Sequence, residues 1–278
     1  MVKNSSAPVQ NTNGVMDHGK LPSGNLWYHQ YDCNGGDAID FVRRFYNKNY
    51  PEAVTYLLEG RGGQLVVSKF IEKHPQKPFE LPPENNNLRR VFAYLLNHRG
   101  IDRNVLYAFV HEKMIYESTQ YHNAVFVGYD LNDVARHAHN RGTGSKSSYK
   151  GNASGSMPEY SFHWHGTSDK LYLFEAPVDM LSFISMNQNG WHRHNYASAC
   201  SVSDIVLWQM MKDNSNIKKV CLCLDNDDAG QAASKRIADK LFIKEIPFEV
   251  LVPVHKDWNE DLLFSIEQEE NKCQVLQL

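Results

Sequence analysis

From Lys170 to Val254 the chain alternates unbroken apolar runs with helix-like stretches: "KLYLFEA", "VDMLSFISM", "NYASAC", "SDIVLWQMMKD", "IKKVCLCLD", "AGQAASKRIADKLF" and "PFEVLVPV". A strand with no polar alternate position must be covered on both faces. Strands of this kind separated by helices therefore predict an α/β fold, a parallel sheet with helices on both sides. Ser203 is the expected cap of the helix that follows it. Cys221 and Cys223 alternate with Leu222 and Leu224 and are read as small core residues.

In an open parallel sheet, ligands sit beyond the carboxyl ends of the strands. The run "VCLCL" ends there in "DNDDAG", which holds Asp225 and Asp227, and "LYLF" ends in Glu175. The separation, 225 − 175 = 50 residues, suits two strand–helix units. If those two strands are neighbours, three carboxylates share one crevice. At about 4 Å and an effective dielectric near 20, each like-charge pair costs about 4 kcal/mol. Such a cluster needs a cation or raised pKa values. Oxygen-only ligands favour a hard ion, Mg²⁺ first and Mn²⁺ as the alternative. The competing reading is a solvated turn in which Asp227 and Asp228 favour a helix dipole. A calcium-binding EF-hand loop is excluded, because Arg236 stands at the twelfth position, where a bidentate glutamate is required. The haloacid-dehalogenase pattern fails at Ala229, where it needs Thr or Val.

The 278 residues carry a formal net charge of -3, with 42% hydrophobic and 22% charged residues. That is enough chain for one large domain or two small ones. A nucleic-acid-coating protein is excluded, so any such contact must come from a local patch. No apolar run of about 18 residues occurs, and "MVKNSSAPVQNTNGVMDHGK" lacks the apolar core of a signal peptide. The five cysteines form no CxxC pair, which fits a reducing cytoplasm. The expected organisation is a disordered lead-in (1–25), a ribbon-like segment with two short helices (26–60), a Pro- and Asn-rich linker (61–87), a small α+β subdomain (88–167), the parallel-sheet domain (168–265) and a tail (266–278). "NVLYAFVHEKMIY" reads as one helix within the fourth of these segments.

Taken together, "FEAPVD", "LDNDDAG" and "HKDWNED" resemble the Toprim domain of DnaG-type primases, topoisomerases and related nucleases. Glu175, Asp179, Asp225, Asp227 and Gly230 match residue by residue. Lys256, Asp257 and Glu260 resemble the "KDPDE" element of primases. The resemblance implies a Rossmann-like sheet, a glutamate in general acid/base chemistry and aspartates that hold Mg²⁺. Glu175, Asp225, Asp227 and Asp257 are then the implied metal set, with Asp179 shaping the site.

Upstream, "YLLNHRGID", "VFVGYD" and "NRGTGSKSSYKGNASGS" resemble the part of a primase core that precedes Toprim. Arg141 matches the family's "GGR" arginine, and Lys150 with Asn152 loosely matches "KYLNS". The closer resemblance is to small domain-plus-Toprim proteins of Gram-positive plasmids and integrative elements, whose upstream domain has no assigned function. "YHQYDCNGGDAIDFVRRFYNKNYPEAVTYLL" resembles half of a CHC-type zinc ribbon, but His29 and Asp32 stand at the cysteine positions and Cys33 is displaced. Zinc is therefore not expected. The alternative, a site built from His18, His29, Asp32 and Cys33, stands beside the reading of a ribbon scar whose helices still pack.

The segment around Arg136, Arg141, Lys146 and Lys150 is either a solvated loop or a phosphate-holding wall with Tyr149 or Trp164 as stacking surfaces. His137, His139, His163 and His165 alternate and read as surface or groove histidines rather than metal ligands. The implied function is Mg²⁺-dependent nucleotidyl transfer, primer synthesis from nucleoside triphosphates on single-stranded DNA for a mobile element. Arg141, Lys146, Lys150 and Lys256 would hold phosphates. A Toprim nuclease and a non-catalytic module binding nucleic acid or a relaxase are the alternatives. A relaxase or helicase is the implied protein partner, and no membrane is involved.

Overall fold

The apolar runs that end in carboxylates form one five-stranded sheet in the computed structural model. The structure describes residues 27–29, 34–58, 78–144, 149–200 and 203–275. The expected lead-in, most of the expected linker, Lys146, His18, Asp32 and Cys33 lie outside the described residues, and of His29 only the backbone is described.

The chain divides into two compact units, Met1–Pro75 and Gln76–Leu278. In the first, β1 (Trp27–His29) pairs antiparallel with β2 (Asn34–Gly36), and two helices follow, α1 (Ala38–Phe45) and α2 (Tyr50–Leu58). Asp37 starts α1 because its carboxylate accepts from the backbone N–H groups of Ile39 and Asp40, while the Asp40 carboxylate accepts from the Asp37 N–H. Val42, Ala53 and Leu57 form this unit's small core.

The second unit begins with α3 (Arg89–Phe92), which widens into a π-helical turn over Ala93–His98 and stops at Gly100 with φ +67°. Next come α4 (Arg103–His111), β3 (Ile115–Glu117), β4 (Ala124–Tyr129), β5 (Ala135–Arg141) and β6 (Lys150–Asn152). These four strands make an antiparallel sheet in chain order. The single helix expected from Asn104 through Tyr116 is therefore a helix and a strand. Lys113, in the left-handed region at φ 56°, breaks the helical path.

The larger sheet is built from β7 (His163–Trp164), β8 (Lys170–Phe174), β9 (Asn195–Ser198), β10 (Lys219–Cys223) and β11 (Phe248–Val250), in the order β11-β10-β8-β9-β7. All its neighbours run parallel except β7, which is antiparallel to β9. The helices are α5 (Pro177–Met186), α6 (Ile205–Asp213), α7 (Asp228–Ile243) and α8 (Trp258–Val275). Alternation within the apolar strands explains why both faces are covered. Leu171, Leu173, Val220 and Leu222 pack with the α6 and α7 side chains Val206, Leu207, Ala233 and Ile237. Phe174, Cys221 and Cys223 pack with α5 and α8 through Met180, Leu181, Phe183, Trp258 and Leu262. Both cysteines are fully buried, as the strand pattern requires.

Two local expectations are corrected and one, the cap by Ser203, is refined. The strand read over "PFEVLVPV" keeps its ladder only through Val250; Leu251 adds one further bond to Leu222 before Pro253, which has no N–H to give. The helix after Ser203 has Asp204 at its N-cap position without a side-chain cap bond, while Ser203 Oγ accepts from the Ile205 N–H at 3.4 Å. The Asp204 carboxylate is taken by Lys240 Nζ at 2.8 Å and Trp208 Nε1 at 2.6 Å. Residues 266–275, expected to begin a tail, continue α8.

The N-cap residue of α3, Leu88, makes no side-chain cap bond, and Asn87 Oδ1 takes only the Arg89 N–H, at 3.1 Å. Glu117, at the end of β3, supplies a cap from afar: its Oε2 accepts from the N–H groups of Arg90 and Val91, and its Oε1 meets His122 Nδ1 at 2.6 Å. Burial works against this ionised carboxyl, but His122, Asn85 and the two backbone donors outweigh it and hold its pKa below the ordinary value. A group with a depressed pKa contributes stability above its unfolded value, and that contribution is lost on acidification. Glu117→Gln is expected to cost about 1–2 kcal/mol at pH 7, with the difference from wild type shrinking toward pH 3. Chemical denaturation at both pH values checks this.

Candidate active site

The carboxylates reach one crevice because β8 and β10 are adjacent and parallel, pairing Cys223 with Phe174. Glu175 and Asp225 follow those strands directly. Asp179 lies in the first turn of α5 and is buried, its carboxylate accepting from the backbone N–H of Asn259. The loop bearing Asp225 is tied to the loop before α8. Asn226 N–H donates to the Lys256 carbonyl at 2.7 Å, and Trp258 Nε1 donates to the Cys223 carbonyl at 2.8 Å. That link carries Lys256 and Asp257 to the same rim. Asp257 also accepts from the Glu260 N–H at 2.8 Å, which starts α8.

Asp227 plays a double part. It is the N-cap of α7, its Oδ1 accepting from Ala229 and Gly230, so one of its oxygens is already engaged. Gly230 is required here for space, since a Cβ would run into the Asp225 carbonyl oxygen and carbon. Gly230→Ala is expected to displace the Asp225 loop at a cost of about 1–3 kcal/mol, and to weaken any Mg²⁺-induced rise in melting temperature. A thermal melt with and without Mg²⁺ checks it.

These residues line a cleft of about 490 Å³ together with Arg99, Phe126, His139, Arg141, Lys150 and Asn259. Of the residues expected from the sequence, Glu175, Asp179, Asp225, Asp257, Arg141, Lys150 and Lys256 line it. Asp227 stands beside it, its charge raising the pKa of Glu175. Arg136 does not join: its Nε is bound to Asp130 at 2.7 Å. Trp164 is not a stacking surface in the cleft but packs on Phe109 and Trp191, donating its indole N–H to the His192 carbonyl. His137 and His163 are buried between the strands, not on the surface. Burial first, then neighbouring histidine charge, lowers the pKa of each to about 4.

Two cleft residues, Arg99 and Asn259, escaped the sequence reading, as did Tyr94, which positions the first of them. Arg99, just past the π-helical turn, donates Nε to Tyr94 Oη at 2.9 Å and Nη1 to Asn259 Oδ1 at 3.0 Å. Arg141 donates its own Nε to the same Tyr94 oxygen at 3.1 Å. Tyr94 thus holds two guanidinium groups side by side, and among the described residues neither is in an ion pair with a carboxylate. Such a pair is a receptor for an anion. Asn259 binds the Arg99 carbonyl and Ser182 Oγ as well, pinning the start of α8 to the π turn and α5.

The electrostatics of the acidic wall are those of a cation site. Burial, then the charges of Glu175, Asp257 and Asp227, pushes Asp225 up to about 7, with Lys256 pulling the other way. Burial is also the leading cause that raises Glu175 and holds Asp179 well above the carboxylate range. Glu175 Oε2 and Asp225 Oδ1 are buried without a hydrogen-bond partner. Two unsatisfied anionic oxygens in one crevice fit a hard cation. Among the described residues no three candidate ligands form a ready-made cage, so an ion held here would keep water in its shell, as Mg²⁺ does.

Residues 172–262 match the family profile described as Toprim-like. The chain carries a Toprim-like domain. Residues 93–168, ahead of it, match "Protein of unknown function (DUF3991)". An uncharacterized protein of the Bacillus anthracis plasmid pXO2 is 25% identical over 280 residues, covering 90% of this chain and 79% of that protein. Among solved structures, the primase fragment of the bacteriophage T7 primase-helicase is similar with a TM-score of 0.48 and 19% identity, covering 64% of this chain and 72% of that one. The Aquifex aeolicus primase, zinc-binding and RNA polymerase domains, gives 0.43 and 17%, covering 89% and 72%. Among the described residues no helix is long and apolar enough to cross a membrane.

Proposed function

We propose that the cleft carries out Mg²⁺-dependent nucleotidyl transfer, joining nucleotides into a primer on single-stranded DNA. The observation that carries this reading is one crevice lined both by Glu175 and Asp225, each with a buried carboxylate oxygen that has no hydrogen-bond partner, and by Arg99, Arg141, Lys150 and Lys256. Bound Mg²⁺, on Asp225 and Asp227 with Glu175 or Asp257 completing the set, supplies charge neutralisation for attacking and leaving oxygens. The chain's own part is to place and discharge the substrate. Arg99 and Arg141, fixed by Tyr94, offer their remaining guanidinium N–H groups to phosphate oxygens, and Lys150 and Lys256 neutralise further phosphate charge. Glu175, with its pKa raised by burial and by Asp227, is placed to take the proton of an attacking 3′-hydroxyl. Asp179, buried behind it and bound to the Asn259 N–H, holds the wall of the cleft in place.

The test is incubation of the protein with labelled nucleoside triphosphates, single-stranded DNA and Mg²⁺, beside an Asp225→Ala/Asp227→Ala double variant. New chains formed by the wild type and missing from the variant support the reading. Degraded DNA lost in the same variant moves the assignment to a nuclease. Binding without turnover in both proteins leaves a recruitment module for nucleic acid or a relaxase.

A further inference from the structure

The side of the four-stranded sheet that faces the cleft carries two cross-strand pairs, Arg141 opposite Lys150 and His139 opposite Asn152. The first pair is cationic and the second is not. His139 Nδ1 lies 2.8 Å from Asn152 Oδ1. That oxygen can only accept, so Nδ1 carries the ring proton and Nε2 carries a lone pair. The ring is nearly enclosed, yet among the described residues its Nε2 has no hydrogen-bond partner and, unlike both nitrogens of the neighbouring His137, is not a buried orphan. It opens on the cleft beside the ring of Phe126. Burial, then the nearby charges of Arg141 and Lys150, lowers the His139 pKa despite the Asn152 bond, so the imidazole stays neutral at pH 7. The cleft floor thus presents an uncharged acceptor on His139 and an amide donor on Asn152, two strand residues or about 7 Å from the cationic pair. A group that both donates and accepts satisfies the two together. A ribose hydroxyl is such a group, and 7 Å is about the span from a nucleotide's 5′-phosphate to its own sugar hydroxyls.

Resting on the nucleotidyl-transfer reading above, we propose that His139, steadied by Asn152, is the residue that selects ribonucleotides, its Nε2 accepting a hydrogen bond from the ribose 2′-hydroxyl of a nucleotide whose phosphates lie on Arg141 and Lys150.

Titration calorimetry with ATP and dATP, each in Mg²⁺, tests this without requiring turnover. The wild type is expected to bind ATP about 5- to 10-fold more tightly than dATP, the worth of one neutral hydrogen bond. His139→Phe keeps a flat ring without the acceptor and is expected to weaken ATP to the level of dATP, leaving dATP unchanged. His139→Gln, which restores an acceptor, is expected to recover part of the preference. Equal weakening of both nucleotides in His139→Phe, or no preference in the wild type, overturns the assignment. A wild type that binds both nucleotides with the expected ratio but makes no chains sinks the polymerisation reading alone. Binding of neither nucleotide sinks both.

Discussion

Asp225→Asn is expected to give a protein that is inactive yet more stable than wild type at pH 8 without divalent cations. The carboxyl of Asp225 stands at about 7 in the fold against an ordinary 3.8, so between those values the folded state binds more protons than the unfolded chain. Its contribution is harmless below pH 3.8 and becomes a growing penalty as pH rises through the window, complete just above 7. The span is worth at most ~4 kcal/mol, and partial solvent access reduces it to about 2. Removing the charge should raise the melting temperature by about 4–8 °C at pH 8, with the gain vanishing at pH 4. Mg²⁺ should raise the melting point of the wild type by mass action and leave that of the variant unmoved. Turnover should fall by about 10³-fold, since losing a metal ligand removes several kcal/mol of transition-state stabilisation. A variant that melts below wild type at pH 8, or that still responds to Mg²⁺, would show that Asp225 is a structural turn residue.

The acid side of the same profile belongs to other groups. His137 and His163 stand at about 4 in the fold against 6.5 outside it, so here the unfolded chain binds more protons. Their stabilising neutral state is complete above pH 6.5 and is lost as pH falls toward 4. The metal-free protein is therefore expected to be most stable near neutrality, losing stability on either side. Melts from pH 4 to pH 9 check it, and a flat profile would contradict both assignments of cause.

What the sequence revealed follows from which signals are local. The parallel sheet was legible because unbroken apolar runs admit only a doubly covered strand, whereas the adjacency of the strands ending in Glu175 and Asp225 entered as a condition, which the pairing of β8 with β10 meets. The carboxylates were legible because each directly follows such a run or lies within a turn of it. Arg99 and Asn259 were not, although the stretches holding them, "NHRGID" and "HKDWNED", were both singled out. They meet across 160 residues, and the π-helical turn that delivers Tyr94 and Arg99 has no periodicity of its own to read. The histidine alternation put His137 and His139 on one strand, β5, while His165 lies beyond the end of β7, and alternation does not say which side is buried. Trp164 failed for a related reason: an aromatic beside basic residues looks like a stacking platform until Phe109 of α4 and Trp191 pack on it.

The two profiled segments share one core. Leu95, Leu106, Phe109 and Phe126 of the first belong to the same apolar cluster as Phe174, Met180, Leu181, Trp191 and Trp258 of the second. Phe109 of α4 is its hinge, fully buried, stacked on Trp191 at 5.5 Å and touching Phe162 and Trp164. Phe109→Ala is expected to cost about 3–5 kcal/mol and to lower the melting temperature of the unit from Gln76 onward by about 10 °C. Because the core is continuous, circular dichroism and the fluorescence of Trp164 and Trp191 should report one coincident transition in wild type and variant alike. A chain cut to residues 168–278 should fail to fold, since Phe174, Phe183 and Trp191 would lose their cover. Two resolved transitions, or a stable 168–278 fragment, would mean that the Toprim-like sheet stands alone and that the upstream domain merely rests on it. In a single cooperative unit, the guanidinium wall built on the upstream domain and the carboxylate wall built on the sheet are held at a fixed spacing, which is what a cleft that must grip phosphate and metal together requires.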